Sequence, residues 1–551
     1  MANKLQKPRR ELQTIRRILA AFFFLGVTLL FLDFTGTLHH WLGWMAKVQF
    51  LPAVMALNLV VVAALIFLTL IFGRIYCSVI CPMGVMQDGI AWLGKKQKKN
   101  RYSYSKEKKW LRYPMLVVFI AVAALGFLGI ADLIAPYSSF GRIAQNIFQP
   151  IYIGINNLLA TAAEHLDSYA FYHRDVWIRS LPVFIIAAVT FVFVAILAWR
   201  GGRTYCNTIC PVGTVLSFFA RFSWFRIYFD GEKCRQCSMC SRNCKGACND
   251  YTHLRVDSSR CVTCGDCLTK CRFGALHYGH PSKDIAEHNK VKLADIEANA
   301  KARAERMAAK AEAAQTVKAE NKQAAQSTAE ATPSTQASTQ NPDESRRHFL
   351  LGMALATSAA TMGQAKKKLD GGLATLEEKQ LPERTTPVTP PGSQSVHNLA
   401  HHCTACQLCV AECPNDILRP STDPEHFMQP VMDFERGFCR PECTRCSEVC
   451  PTGAIKKITT AEKVSTHIGH AVYNRFNCVA LTDGVMCGNC SRHCPTGAIE
   501  MIEFKKPNGD IAMIPSVNES VCIGCGACEY VCPARPISAI YVEGHEVHRL
   551  D

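Results

Sequence analysis

Cys522-Ile-Gly-Cys525-Gly-Ala-Cys528-Glu-Tyr-Val-Cys532-Pro533 carries four thiols at a C-x2-C-x2-C-x3-C spacing with proline next. Three thiols this close wrap three irons of one [4Fe–4S] cubane, and the fourth leaves with the following turn toward a partner cubane. Five further runs repeat the theme: Cys234, Cys237, Cys240, Cys244; Cys261, Cys264, Cys267, Cys271; Cys403, Cys406, Cys409, Cys413; Cys439, Cys443, Cys446, Cys450; and Cys478, Cys487, Cys490, Cys494. Pro414, Pro451 and Pro495 repeat the trailing proline, while eight residues separate Cys478 from Cys487. Zinc sites use two separated pairs, not one run of four. Secreted disulfide frameworks belong to short chains without one repeated ligand spacing. Six [4Fe–4S] clusters are the expectation.

Working outward, the runs fall into two groups, each following the bacterial ferredoxin pattern of α+β domains. In the first group the exchange rule gives Cys234, Cys237, Cys240 and Cys271 to one cluster, and Cys261, Cys264, Cys267 and Cys244 to the other. Cys248 is left over, as an alternative to Cys244 or as a buried thiol, because Lys245 stands where proline usually follows. The formal charge of +16 on 551 residues is offset in part by clusters carrying roughly −2 each. No basic patch interleaved with aromatics remains, so nucleic acid is not an expected partner.

Upstream lie four apolar stretches of membrane-spanning length: Ile18 to Leu38, Phe50 to Phe72, Tyr113 to Ala135 and Ile178 to Trp199. Arg9, Arg10, Arg16, Arg17 and the lysines around Lys95 to Lys109 place both ends of this bundle in the cytoplasm by the positive-inside rule. The expected architecture is a multi-domain membrane protein: a four-helix transmembrane domain (1–225), a two-cluster domain (226–284), a helical and disordered linker (285–344), an internal export signal or fifth membrane helix (345–368), a Pro-rich linker (369–396) and a four-cluster domain (397–551).

Within the bundle, Gly73-Arg-Ile-Tyr-Cys77-Ser-Val-Ile-Cys81-Pro82-Met-Gly84 recurs as Gly202-Arg-Thr-Tyr-Cys206-Asn-Thr-Ile-Cys210-Pro211-Val-Gly213. Cysteines at i and i+4 share a helix face, and duplicated halves meet around a pseudo-two-fold axis. Cys77, Cys81, Cys206 and Cys210 are therefore candidates for one further metal or cluster site, with structural packing of free thiols the competing reading.

Ser345-Arg346-Arg347-His348-Phe349-Leu350-Leu351, a mildly apolar stretch and Gly363-Gln364-Ala365 resemble a twin-arginine export signal. Such a signal would carry a folded, cluster-loaded domain to the periplasm, with residues 200–344 remaining cytoplasmic. The helices, the two C-x3-C-P motifs and the two-cluster domain resemble the NapH-type membrane quinol dehydrogenase component. The segment after Arg346-Arg347 resembles its NapG-type four-cluster partner. The resemblance implies a bacterial inner-membrane protein that passes electrons from the quinol pool to a periplasmic redox protein or reductase, of the nitrate reductase type. The four-cluster domain is also similar to the electron-transfer subunits of molybdenum oxidoreductases. That similarity implies pairing of the first run with the fourth and the second with the third: Cys403, Cys406, Cys409 with Cys532; Cys522, Cys525, Cys528 with Cys413; Cys439, Cys443, Cys446 with Cys494; and Cys478, Cys487, Cys490 with Cys450.

No G-x-G-x-x-G after a strand, Walker A or C-x2-C-H haem motif occurs, so a quinone is the natural lipid-side partner. Asp33 and Asp132 are candidate proton acceptors, with His39 and His40 behind them, against the plainer reading of interfacial residues. A redox sensor or assembly factor, and a subunit serving another oxidoreductase, are the alternatives.

Overall fold

The computed structural model describes residues 2–97, 102–282, 284–285, 287–294, 298, 377–506 and 509–551. Its main helices are α1 (Ala2–Leu32), α2 (Leu59–Phe72), α3 (Pro82–Gln97), α4 (Lys109–Ala124), α5 (Pro136–Ile143), α6 (Leu181–Gly201) and α7 (Pro211–Ala220). Among the described residues, two helices rather than four are long and apolar enough to cross a membrane: Arg10–Leu32 within α1, and α6. The other two expected spans are interrupted by local backbone chemistry. Leu57 takes a left-handed φ of 52°, and the Asn58 side chain accepts from Val61 N at 3.2 Å, so α2 starts afresh. Gly126, at φ 89°, lies just beyond α4. Pro136, whose missing N–H costs nothing at a first helical position, then opens α5.

Every residue of α5 is buried, and it packs against α3 and α6. On the outside of α6, Ile185, Val189, Val192, Phe193 and Ile196 are exposed, an apolar face suited to a non-aqueous neighbour.

Behind α7, strand β1 (Arg226–Phe229) pairs antiparallel with β2 (Leu276–Gly279), Arg226 opposite Gly279. Between them, the helical turns Met239–Arg242 and Asp266–Lys270 pack together, each carrying the third cysteine of its run. The C-terminal block adds β3 (Thr466–Tyr473), β4 (Ile499–Lys505), β5 (Ile511–Val517) and β6 (Ile540–Leu550), with β3 antiparallel to β6 and β4 to β5.

The Pro-rich stretch 382–392 is part of this block, not a linker before it. Arg384 Nε donates to Val542 O at 2.8 Å, and its guanidinium meets Glu529, which is 1% exposed, at 2.6 Å. Thr389 and Ser393 are buried behind it. Proline suits this extended strap, whose partners are side chains and strand ends instead of a ladder. The block begins at Gln380 and forms one unit with Met1–Lys292. Residues 299–376, which include the arginine-pair segment 345–368 with Arg346, Arg347 and Ala365 and the start of the expected linker, lie outside the described residues.

Both cysteine-rich parts grip the same helices. Arg17 Nη2 lies 3.5 Å from Asp266 of the first part. Arg445 of the C-terminal block donates to Phe34 O at 3.4 Å and Thr35 O at 2.6 Å, just past the C-terminal end of α1, whereas Arg17 lies midway along it. At 1.5 Å per residue, these grips stand about 25 Å apart along the helix.

Candidate iron–sulfur centres

Each regular run is a curled loop followed by a helical turn. Left-handed residues flank the second cysteine: Gln236 and Ser238, Thr263 and Gly265, Ala405 and Gln407, Gly524 and Gly526. This curl turns backbone N–H groups toward the thiols, as anion-binding backbone concavities do. Ala405 N donates to Cys403 Sγ at 3.4 Å, and Cys234, Cys522 and Cys525 accept from the backbone of Gln236, Gly524 and Ala527 in the same way.

Burial pushes the thiols of Cys240, Cys406 and Cys525 up to about 12, and those of Cys439 and Cys490 to about 11. Thiols grouped this way ionise only around a cationic core. The loops and donors therefore fit a [4Fe–4S] cubane.

In the first domain the structure gathers the expected sets. Cys240 has Cys234, Cys271 and Cys237 as thiol neighbours, while Cys267 has Cys264, Cys244 and Cys261. Cys248 is buried among the second set, its Sγ 3.4 Å from that of Cys244, and it also meets Cys261.

In the C-terminal block the structure departs from the expected pairing, because adjacent runs exchange. The helical turns Leu408–Ala411 and Arg445–Val449 pack together, as do Asn489–Arg492 and Ala527–Val531. Cys409 accordingly neighbours Cys403, Cys406 and Cys450, and Cys446 neighbours Cys439, Cys413 and Cys443. Likewise Cys490 neighbours Cys487 and Cys532, and Cys525 neighbours Cys522 and Cys494. The physical reason is reach: each fourth cysteine is carried by its own turn only as far as the adjoining run.

The repeated motif forms a distinct centre. Cys77 and Cys206 sit on the single-turn helices Ile75–Val79 and Thr204–Thr208, with Cys81 and Cys210 immediately before α3 and α7. All four are at most 4% exposed. Arg74 and Arg203, both fully buried, cross between the copies: Arg74 Nη2 donates to Cys206 O at 3.1 Å and Arg203 Nη1 to Cys77 O at 2.5 Å. Gln87 Nε2 lies 3.2 Å from Cys206 Sγ, and Gly213 N donates to Cys210 Sγ at 3.3 Å. Cys206 thus lies between the two copies, touched from both.

Among the described residues, no three Cys, His, Asp or Glu side chains converge on a single-ion position. A cubane spreads its four thiolates over four irons and does not require that convergence.

The 4Fe–4S binding domain family matches residues 54–100 and 181–228, the two copies of this motif. The 4Fe–4S dicluster domain family matches residues 485–535, which contain Cys487, Cys490 and Cys494 of the third run and all of the fourth. The methylamine utilization ferredoxin-type protein MauM of Methylobacillus flagellatus is 31% identical over 166 residues, 29% of this chain and 70% of that protein. The ferredoxin-type protein NapF of Escherichia coli K12 is 30% identical over 161 residues, 29% of this chain and 87% of that protein.

The chain belongs to the NapF/MauM-type ferredoxin family. It is an iron–sulfur electron-transfer protein with 4Fe–4S domains. No solved structure matches it.

In this ferredoxin-type chain, the charged residues that tie the first cluster domain to the helices escaped the cysteine pattern. Asp88 meets Arg203 at 2.9 Å, Arg16 at 3.4 Å and Lys245 at 3.5 Å. Burial alone would raise its carboxyl, yet these cations hold it well below the usual carboxylate range. Lys245 also meets Asp266 at 3.2 Å. The repeated Gly-Arg before each motif, and lysine in place of proline after Cys244, were the available signals.

Of the carboxylates, Asp33 is a local turn cap, accepting from Thr35 N at 2.8 Å, Gly36 N at 3.0 Å and Leu38 N at 2.7 Å. Asp132 is fully buried beside Arg142, which donates to its backbone oxygen at 2.9 Å, while neither carboxylate oxygen accepts a hydrogen bond.

Proposed function

We propose that the protein is a membrane-embedded conduit passing single electrons from quinol to a redox partner on the outer face, with a nitrate-reductase-type enzyme the first acceptor to test. One arrangement carries this reading: the two ferredoxin-type parts meet α1 about 25 Å apart, one at Arg17 midway along it and one just past its C-terminal end, with the four repeat cysteines buried in the same bundle. Arg74 joins that centre to the first part through Ser259 O at 3.1 Å. On the other side Tyr205 donates to Ile134 O at 2.7 Å, and Asn146 beyond it donates to Gln407 Oε1 at 2.9 Å, within the Cys406 loop.

When bound, a [4Fe–4S] group supplies one-electron chemistry at each cysteine set. We assign six such groups to the ferredoxin runs and a seventh metal centre to Cys77, Cys81, Cys206 and Cys210. The chain holds these sets in order and buries the four repeat cysteines against water. We assign the uptake of a proton released from quinol to Asp132, a buried carboxylate whose oxygens accept no hydrogen bond.

The reading predicts that a menaquinol analogue reduces the anaerobically purified protein in nanodiscs, seen as paramagnetic signals of reduced clusters. Asp132→Asn should slow that reduction at least about ten-fold, a typical general-base contribution or less, with the dithionite-reduced spectrum unchanged. No quinol-dependent signal in the intact protein would sink the quinol assignment.

A further inference from the structure

The cysteine sets of the C-terminal block stand in series. Cys406 lies against the helices, its carbonyl 2.3 Å from where a Cβ on Gly141 would stand. The sets built on Cys439 and Cys525 touch through Cys439 N donating to Cys525 O at 2.9 Å. Cys528 in turn neighbours Cys490. The set of Cys478, Cys487, Cys490 and Cys532 is therefore the end farthest along the series from the bundle.

Around that last set the surface changes character. The eight residues between Cys478 and Cys487 form the turn Val479–Thr482 and then a projecting tip. Met486 is 95% exposed, Phe476 82% and Val485 54%. Single exposed apolar residues are ordinary. Two at the end of one short loop and Phe476 in the turn Arg475–Asn477 just before it, each beside a candidate ligand cysteine at the end of the series, are less so.

The rim carries an excess of cations. Arg475, Arg492, Lys505 and Arg535 are exposed, against Asp483 within the loop and Glu500 and Glu503 on β4. Arg535 is tied to the set by Nη1 donating to Cys532 O at 2.9 Å, and Lys506 reaches the loop through Leu481 O at 3.3 Å.

We propose that the tip Phe476–Met486 is the docking surface for a soluble redox protein whose own docking face is acidic. The inference rests on the conduit reading and adds the exit. A small apolar centre inside a charged rim suits a transient encounter of low buried area, with charge steering association and apolar contact bringing the two centres close. One electron leaves the protein and reduces the partner's centre by one, and no bond is made or broken.

The test is anaerobic stopped-flow reoxidation of the dithionite-reduced full-length protein in nanodiscs. The oxidants are an acidic cupredoxin, a basic c-type cytochrome and uncharged benzoquinone. We expect the cupredoxin to react fastest, with a rate falling about ten-fold or more from low to physiological ionic strength, the behaviour of electrostatically steered association. Met486→Ser with Phe476→Ser should slow the cupredoxin several-fold. Arg475→Glu with Arg492→Glu should slow it further and favour the cytochrome. Benzoquinone rates and the cluster spectra should not move in either variant.

A basic cytochrome that outruns the cupredoxin on the intact protein, or variants that leave the cupredoxin rate unchanged, would overturn the proposal. So would sedimentation showing that the tip joins two copies of this chain, a dimer lost on Met486→Ser. Loss of quinol-driven reduction, with the cupredoxin still reading the tip, would refute the donor half of the conduit reading alone.

Discussion

Cys248 and His548 are two buried residues whose surroundings set their chemistry. The Cys248 thiol lies 3.4 Å from the candidate ligand sulfur of Cys244, to which it can donate once Cys244 is a thiolate, and that contact brings the Cys244 thiol down to about 7. Hydrogen bonds to ligand sulfur tune a cluster's potential. Cys248→Ala should therefore keep both clusters of the first domain while lowering the midpoint potential of the one on Cys261, Cys264, Cys267 and Cys244. A redox titration followed by paramagnetic resonance reads this, and loss of a cluster would instead make Cys248 a ligand. His548 is held neutral by burial, which lowers its imidazole to about 4, while Nε2 meets Thr389 Oγ1 at 2.9 Å. With the folded value below the unfolded one, its contribution to stability is complete above about pH 6.5 and is lost as pH falls through 4. By pH 5.5 the loss should be about 1.4 kcal/mol. His548→Gln should flatten the difference in thermal unfolding between pH 7.5 and 5.5, and an equal slope in both proteins would count against the assignment.

At the scale of elements, the two C-x3-C-P copies and the exchanging runs make the sharpest claims. A Cβ on Gly84 would stand 2.2 Å from Cys77 O and 2.6 Å from Arg203 Nη1. On Gly213 it would stand 2.3 Å from Cys206 O and 2.8 Å from Arg74 Nη2. Both glycines are thus needed for close approach, not for an unusual φ. Gly84→Ala and Gly213→Ala should each destabilise the bundle by about 2 kcal/mol, the usual cost of overpacking, with Gly89→Ala, which meets nothing within 4 Å, as the control. Thermal unfolding in detergent measures it. For the runs, Cys413→Ser should damage the cluster on Cys439, Cys443 and Cys446, since Cys413 neighbours Cys446. Selective loss of the signal from Cys522, Cys525 and Cys528 would restore the first-with-fourth pairing. The cysteine spacing made the runs and their loops legible in the sequence. Which runs exchange was not, because packing of the helical turns against one another decides it.

For the whole molecule, the decisive expectation is that the C-terminal block lies across the membrane from the first ferredoxin-type domain. Protease added to intact spheroplasts should cut at the exposed loop around Met486 and spare the segment around Arg235. A C-terminal block protected from outside would falsify the crossing. The sequence by itself determined the cysteine sets of the first domain, the duplicated motif and the 4Fe–4S chemistry, because ligand spacing and proline placement are local properties of the chain. Only the tertiary structure decided which helices run unbroken, since one left-handed residue at Leu57 or Gly126 outweighs a long apolar stretch. It alone made the Pro-rich strap part of the C-terminal block, through the buried Arg384–Glu529 pair. It alone brought Arg74 and Arg203 across the repeat, and set Arg17 and Arg445 to hold two cysteine-rich parts at separate points of one helix, its middle and just past its C-terminal end. Those contacts join residues far apart in the chain, and spacing along a sequence carries no information about which distant surfaces meet.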